Sequence, residues 1–261
     1  MPVSWALSAP YFLVFGFLCG VVGFRIGWRM RHRVALPVFQ GLLGWAAFLS
    51  SWMFVGPAWA AVTEMAWALG TTLASVYVFL GHPRETDERV IRAKAYREGM
   101  LEWLATRRGP EKQPAATAVA HIRETIWYAA AAVLTANLVS IAMGAVLLNY
   151  MNAYVATLVR AAARTGRVLL LAWNVWSVVR VIAYVLLGAA AAGPMLRIFG
   201  RGASWASLRG LVAAAGAGLV VDLLLKLALS PRCAAALGDA VDLDAAREGR
   251  SSATLLALHL D

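Results

Sequence analysis

Four ionisable side chains fall inside long apolar stretches of this sequence: Glu64, Arg180, Asp222 and Lys226. Charge in hydrocarbon is expensive, so each such group marks either a tie between helices or a path for a substrate or ion. Two are acids and two are bases, and a buried charge needs a partner. Arg180 stands near the middle of one apolar run and Asp222 near the middle of the next. Consecutive helices joined by a short loop are usually neighbours. Lys226 follows Asp222 by one turn on the same helix face. Glu64 lies near the outer end of its own run, at a depth expected to match Lys226. The expected arrangement is an outer-leaflet charge cluster of Arg180, Asp222 and Lys226, with Glu64 at its edge. Balanced signs favour a helix tie. The alternative is a transport path with Arg180 and Asp222 as its contact pair.

A second set is polar but uncharged. Asn137, Ser140, Gly144, Leu148 and Asn152 share one stripe at helical spacing. Small and amide-bearing residues at this period join membrane helices, and the stripe reads first as such an interface. A polar lining to a substrate path is the other reading. Asn149 falls off the stripe and is expected to face the outer surface beside Tyr150. Of eleven tryptophans, Trp28, Trp52, Trp59, Trp127, Trp173 and Trp205 lie near expected helix ends, where indole favours the headgroup region. Trp173 and Trp176 are read as belt residues in preference to a cofactor-stacking pair.

Familiar catalytic signatures are missing from the sequence. His32, His82, His121 and His259 show no metal-ligand spacing. There is no HExxH, CxxC, phosphate-binding glycine loop or GxSxG. No cofactor or metal is expected. Cys19 and Cys233 are expected to be free thiols.

The elements that must carry these residues follow from composition. The chain has 261 residues, of which 61% are apolar and 15% charged, with mean hydropathy +0.67. Soluble domains carry about 25% charged residues, so the bias is that of a membrane protein. The net charge of +10 is ascribed to basic cytoplasmic loops and not to nucleic acid, because no basic, aromatic-interleaved segment stands apart.

Pro10–Trp28 reads as a first spanning helix, followed by a basic cluster (Arg25, Arg29, Arg31, Arg33). Leu36–Val55 and Trp59–Leu80 form an antiparallel pair about Gly56-Pro57. His82–Thr125 is polar and contains a six-turn amphipathic helix, Arg84–Arg108, with an apolar stripe of Val90, Ala93, Met100, Leu101 and Leu104. Arg107-Arg108-Gly109-Pro110 should end it, and Gln113–Ala120 should be linker. Ile126–Val159 holds the fourth crossing but is longer than one crossing requires, and residues 155–167, with Arg160, Arg164 and Arg167, are read as a surface-lying amphipathic segment, with a re-entrant segment as the alternative. The fifth crossing, Val168–Ala192, should stop at Gly193-Pro194, and the sixth, Leu208–Ser230, at Pro231.

The expected fold is all-α: six transmembrane helices plus one cytoplasmic amphipathic helix. Residues 1–231 form the membrane domain and 232–261 a tail, in which Leu255-Leu256-Ala257-Leu258 is too short to cross. With the N-terminus outside, sixteen Lys/Arg fall in cytoplasmic segments and six outside, which selects that orientation in an inner membrane. Arg160, Arg164 and Arg167 strain this assignment. The absence of catalytic signatures points to a non-enzymatic accessory subunit of a larger membrane complex. A small transporter or channel using Arg180, Asp222 and Lys226 is the alternative, and an enzyme acting on lipid-linked substrates stands third. Expected partners are the lipid bilayer and other membrane subunits or further copies of the chain.

Overall fold

The computed structural model describes residues 5–106, 114–162 and 165–248. The expected Arg107–Pro110 stop, Arg164 and the Leu255–Leu258 cluster lie outside the described residues. The protein is all-α. Its helices are α1 (Trp5–Arg29), α2 (Ala35–Phe54), α3 (Pro57–Gly81), α4 (Pro83–Arg89), α5 (Ala93–Thr106) and α6 (Pro114–Thr135). They continue as α7 (Leu138–Arg160), α8 (Thr165–Ala172), α9 (Val175–Ile198), α10 (Trp205–Gly238) and α11 (Leu243–Glu248). Among the described residues the sole β feature is an isolated bridge between Ala162 and Val241. Four segments are long and apolar enough to cross a membrane: Pro10–Arg29 within α1, and α7, α9 and α10.

Seven described helices have 20 residues or more, because the expected fourth rod is two. The chain turns at Ala136 (φ 48°) and Asn137 (φ 73°), both in left-handed backbone. Asparagine tolerates that region better than most residues. The Thr135 hydroxyl accepts the Val139 N–H at 3.1 Å, which serves a first-turn donor of α7. The Ser140 hydroxyl donates to the Tyr128 carbonyl at 2.9 Å and sets α6 against α7 as an antiparallel pair.

Contacts along α7 give the rods their directions. Asn137, at its start, meets Glu64 in the first half of α3. Arg160, at its end, donates to the Phe79 carbonyl near the end of α3. The two helices are therefore parallel, and α6 runs back between their ends. Trp52 in the last turn of α2 donates to the Arg201 carbonyl, which puts the α9–α10 loop at the Gly56 end of the bundle. The segment expected to lie on the surface is instead the buried end of α7, with Val155 through Val159 all buried.

Other boundaries also move. Pro10, Pro194 and Pro231 lie inside α1, α9 and α10 and end none of them. A proline removes one ladder hydrogen bond, a loss that tightly packed apolar helices tolerate. The chain does not leave the fold after Pro231. Ala234, Leu237, Val241, Ala245 and Ala246 pack with Leu104, Tyr154 and Leu158 in one apolar cluster. The amphipathic helix is broken at Val90–Arg92 into α4 and α5, with an ion pair from Arg97 to Asp87 across the break. Its apolar stripe behaves as expected, and Val90, Ala93, Met100, Leu101 and Leu104 are all buried.

Glycine brings the first rods into backbone contact. A Cβ at Gly16 or Gly20 of α1 would overlap the carbonyl oxygens of Thr63 or Trp67 in α3, and one at Gly70 would overlap that of Phe17. One turn further, Gly23 and Gly27 lie against Gln40 and Leu36 of α2. Such small-xxx-small spacing permits the close approach from which helices in lipid gain dispersion energy. Gly20→Val should therefore lower stability by about 1–3 kcal/mol through overpacking, read as a fall in Tm of the detergent-purified protein. Gly99→Val, where a Cβ would meet nothing within 4 Å, should not produce that fall.

Candidate functional site

The charged residues separate into two centres. At the first, Arg180 of α9 grips Asp222 of α10 with both arms of its guanidinium. Nε donates to Oδ2 at 3.0 Å and Nη2 to Oδ1 at 3.1 Å. Such a fork matches a carboxylate and holds its orientation. His121 of α6 adds Nδ1 at 3.4 Å from Oδ2. Asp222 is wholly buried and Lys226 nearly so, one turn along α10. The expected pairing is present, and it brings a third helix beside it. The sequence does not point to His121, because Gln113–Ala120 reads as a linker. Those residues from Pro114 onward are helical and bring the imidazole to Asp222.

Glu64 belongs to a separate centre. It lies seven residues into α3, about 10 Å from the Gly56 end, whereas Asp222 lies seventeen residues into α10, about 25 Å from that end. The outer-leaflet cluster of four is thus corrected. Arg180, Asp222 and Lys226 sit in the half of the bundle toward Gly81, and Glu64 stands apart. Its Oε2 accepts from Asn137 Nδ2 at 2.8 Å, a neutral donor placed by the α6–α7 turn. Glu64 is 1% exposed.

Glu64 lines a chamber of about 240 Å³ between α3, α6, α7 and α9. Trp67, Tyr128, Gly144, Leu148, Tyr184 and Val185 form its walls. Tyr150 continues them, and Arg92 and Glu124 stand at the exposed rim. Tyr128 and Tyr184 stack with ring centroids 4.9 Å apart, forming one aromatic wall. Trp67 is held by its indole N–H on the Gln40 carbonyl at 3.1 Å.

The polar stripe divides by role. Asn152 donates to the Ser75 hydroxyl at 2.8 Å and accepts from Trp173 Nε1 at 3.1 Å, as interhelical glue should. Ser140 closes the α6–α7 turn, and Asn137 holds Glu64. Gly144 is not a packing contact, because a Cβ there would meet nothing within 4 Å. Asn149 does not face the outside. It is buried and exchanges two hydrogen bonds with Gln40 of α2, at 2.7 and 3.2 Å. Trp127 and Trp205 are exposed as belt residues should be. Trp52 and Trp173 instead donate inward across helices.

Compared with known proteins, the chain matches no family model, no curated protein and no solved structure. Among the described residues no group of three or more His, Cys, Asp or Glu is placed to hold a metal ion.

The clamp and the chamber respond differently to substitution. Asp222→Asn leaves the half-buried Arg180 without this countercharge and should cost up to about 3 kcal/mol. Replacing Arg180 and Asp222 together by leucine removes both charges and should recover most of that loss. Thermal unfolding of the two variants checks the sign of the difference.

Proposed function

We propose that the chain is a seven-span inner-membrane protein that binds a small solute in the chamber around Glu64 and moves it across the bilayer. The observation that carries this reading is the placement of Glu64. A buried carboxylate, with one hydrogen bond among the described residues, lines an aromatic chamber that reaches an exposed rim. A carboxylate placed only to tie helices would be closed off by its partners, as Asp222 is. A pocket of apolar walls with a few convergent polar groups is the usual form of a ligand site.

Seven crossings are supported by charge. Arg29, Arg31, Arg33, Arg84–Arg97, Arg160, Arg167, Arg232 and Arg247 all fall at the Gly81 end. At the Gly56 end, Arg197, Arg201 and Arg209 are the basic residues among those described. The positive-inside rule makes the Gly81 end cytoplasmic and puts the start of α1 outside. The turn at Ala136–Asn137 returns Arg160 and Arg167 to the basic side, where a six-span path would strand them outside.

A second reading, that of an accessory subunit in a larger complex, is favoured by α10. Of its apolar window 17% is buried, against 50% for α7 and α9. Its exposed side carries Gly210, Ala213, Ala214 and Ala217, small residues suited to another helix. Recovery as a strictly monomeric species in mild detergent, with no co-purifying chain, counts against that reading.

Two measurements test the first reading. A fluorescent protein fused after Glu248 should fold and emit in the cytoplasm, and alkaline phosphatase at the same position should stay inactive. The opposite pattern restores six crossings. Gly144→Leu should fill the chamber while keeping stability within about 1 kcal/mol of wild type. Native mass spectrometry should then find a small-molecule adduct on the wild type and none on the variant. Wild-type protein without an adduct and without uptake in proteoliposomes overturns the solute-binding reading.

A further inference from the structure

We infer that the chamber takes a small organic monocation, an ammonium group borne on an apolar or aromatic body. This rests on the solute-binding reading above and assigns its ligand class. Three features of the site converge on that chemistry. First, Glu64 presents a carboxylate at the deep end, and the neutral Asn137 side chain that holds it supplies a hydrogen bond but no charge. An ammonium placed there would provide the countercharge that lets this buried carboxyl ionise, in a region where water competes poorly. An anion would gain no countercharge from Glu64 or Asn137. Second, the walls are apolar and partly aromatic. Trp67, Tyr128, Tyr150 and Tyr184 are among the residues that line one space, and aromatic rings attract cations through their quadrupole. Third, the chamber is small. Its volume of about 240 Å³ lies under the range of about 300–1,000 Å³ that suits drug-sized ligands. A compound of roughly the size of phenethylamine is the scale indicated.

The other cations nearby do not take this place. Arg180 is committed to Asp222 in both arms. Lys226 lies beside that carboxylate on α10, a different centre from Glu64. Arg92 lines the rim with Glu124, so the entrance carries one charge of each sign. The acid at the deep end is Glu64.

The test uses the purified full chain in nanodiscs and three probes of one shape: phenethylamine, 2-phenylethanol and 3-phenylpropionate. Binding is read by calorimetry. The cation should bind at least tenfold more tightly than the alcohol, and the acid should bind least. Glu64→Gln should lower phenethylamine affinity at least tenfold and leave the alcohol unchanged. The wild-type series decides the matter even where that variant does not fold. Equal binding of the three probes, or preference for the acid, overturns the ligand class and leaves the chamber reading intact. Failure of all three probes on wild type, together with no effect of Gly144→Leu on native adducts, overturns the chamber reading itself. Nanodiscs with and without phosphatidylethanolamine separate the sources of the ammonium. Competition by that lipid assigns a headgroup, and indifference to it assigns a free amine.

Discussion

Two residues in left-handed backbone govern this architecture. Ala136 and Asn137 stop α6 and start α7, and from that turn follow the number of long rods and the end of the bundle at which Arg160 emerges. The turn also aims the Asn137 side chain at Glu64. An alanine held at φ 48° costs on the order of 1–2 kcal/mol. Surrounding contacts offset that cost. The Trp45 indole donates to the Ala136 carbonyl at 2.9 Å, and the Ser140 and Thr135 hydroxyls serve backbone groups on either side. Strain kept in place by its surroundings is a common property of working sites.

Cohesion here comes from shape and from neutral hydrogen bonds more than from charge. In hydrocarbon, apolar surface gains little by leaving lipid for protein, so helices must gain from close contact and polar pairing. The glycines of α1 supply the first, and the Gln40–Asn149 exchange and the Asn152–Ser75–Trp173 set supply the second. The soluble-looking part at the Gly81 end works differently. There α5, α8, α11 and the ends of α7 and α10 bury a common apolar cluster, for which exclusion of water is the driving force.

The helical character and most rod positions are legible in the sequence because apolar length is a strong signal. The Gly56-Pro57 turn announces itself. So does the Arg180–Asp222 pair, since opposite charges in consecutive greasy runs have few other partners. The α6–α7 turn is not legible in the same way. No glycine, proline or charge marks Thr135-Ala136-Asn137, and the flanking residues are apolar without a break. Pro194 and Pro231 mislead in the opposite sense, because a proline stops a helix only where packing does not compensate for one lost bond. Glu64 escapes charge-pairing logic altogether. Its partner is an amide 73 positions away, which no search for countercharges selects. The role of Gly144 is visible only once space around it is known. The glycine spacing of α1 was present throughout and could have identified its two contact faces.

The Arg180–Asp222–His121 clamp has a consequence for how α10 is held. Beside the buried Leu208, Ala215, Ala234 and Leu237, its docking on α9 includes an ion pair whose carboxylate has 0% exposure. Dissolved electrolyte weakens attraction between charges that water reaches, over a screening length of about 8 Å at physiological ionic strength. It has little access to Asp222. Pairs such as Lys94–Glu98, which are exposed, loosen as sodium chloride is added, while α10 stays seated. The least covered of the four long apolar segments is thus held in part by a charge pair that the surrounding solution hardly reaches.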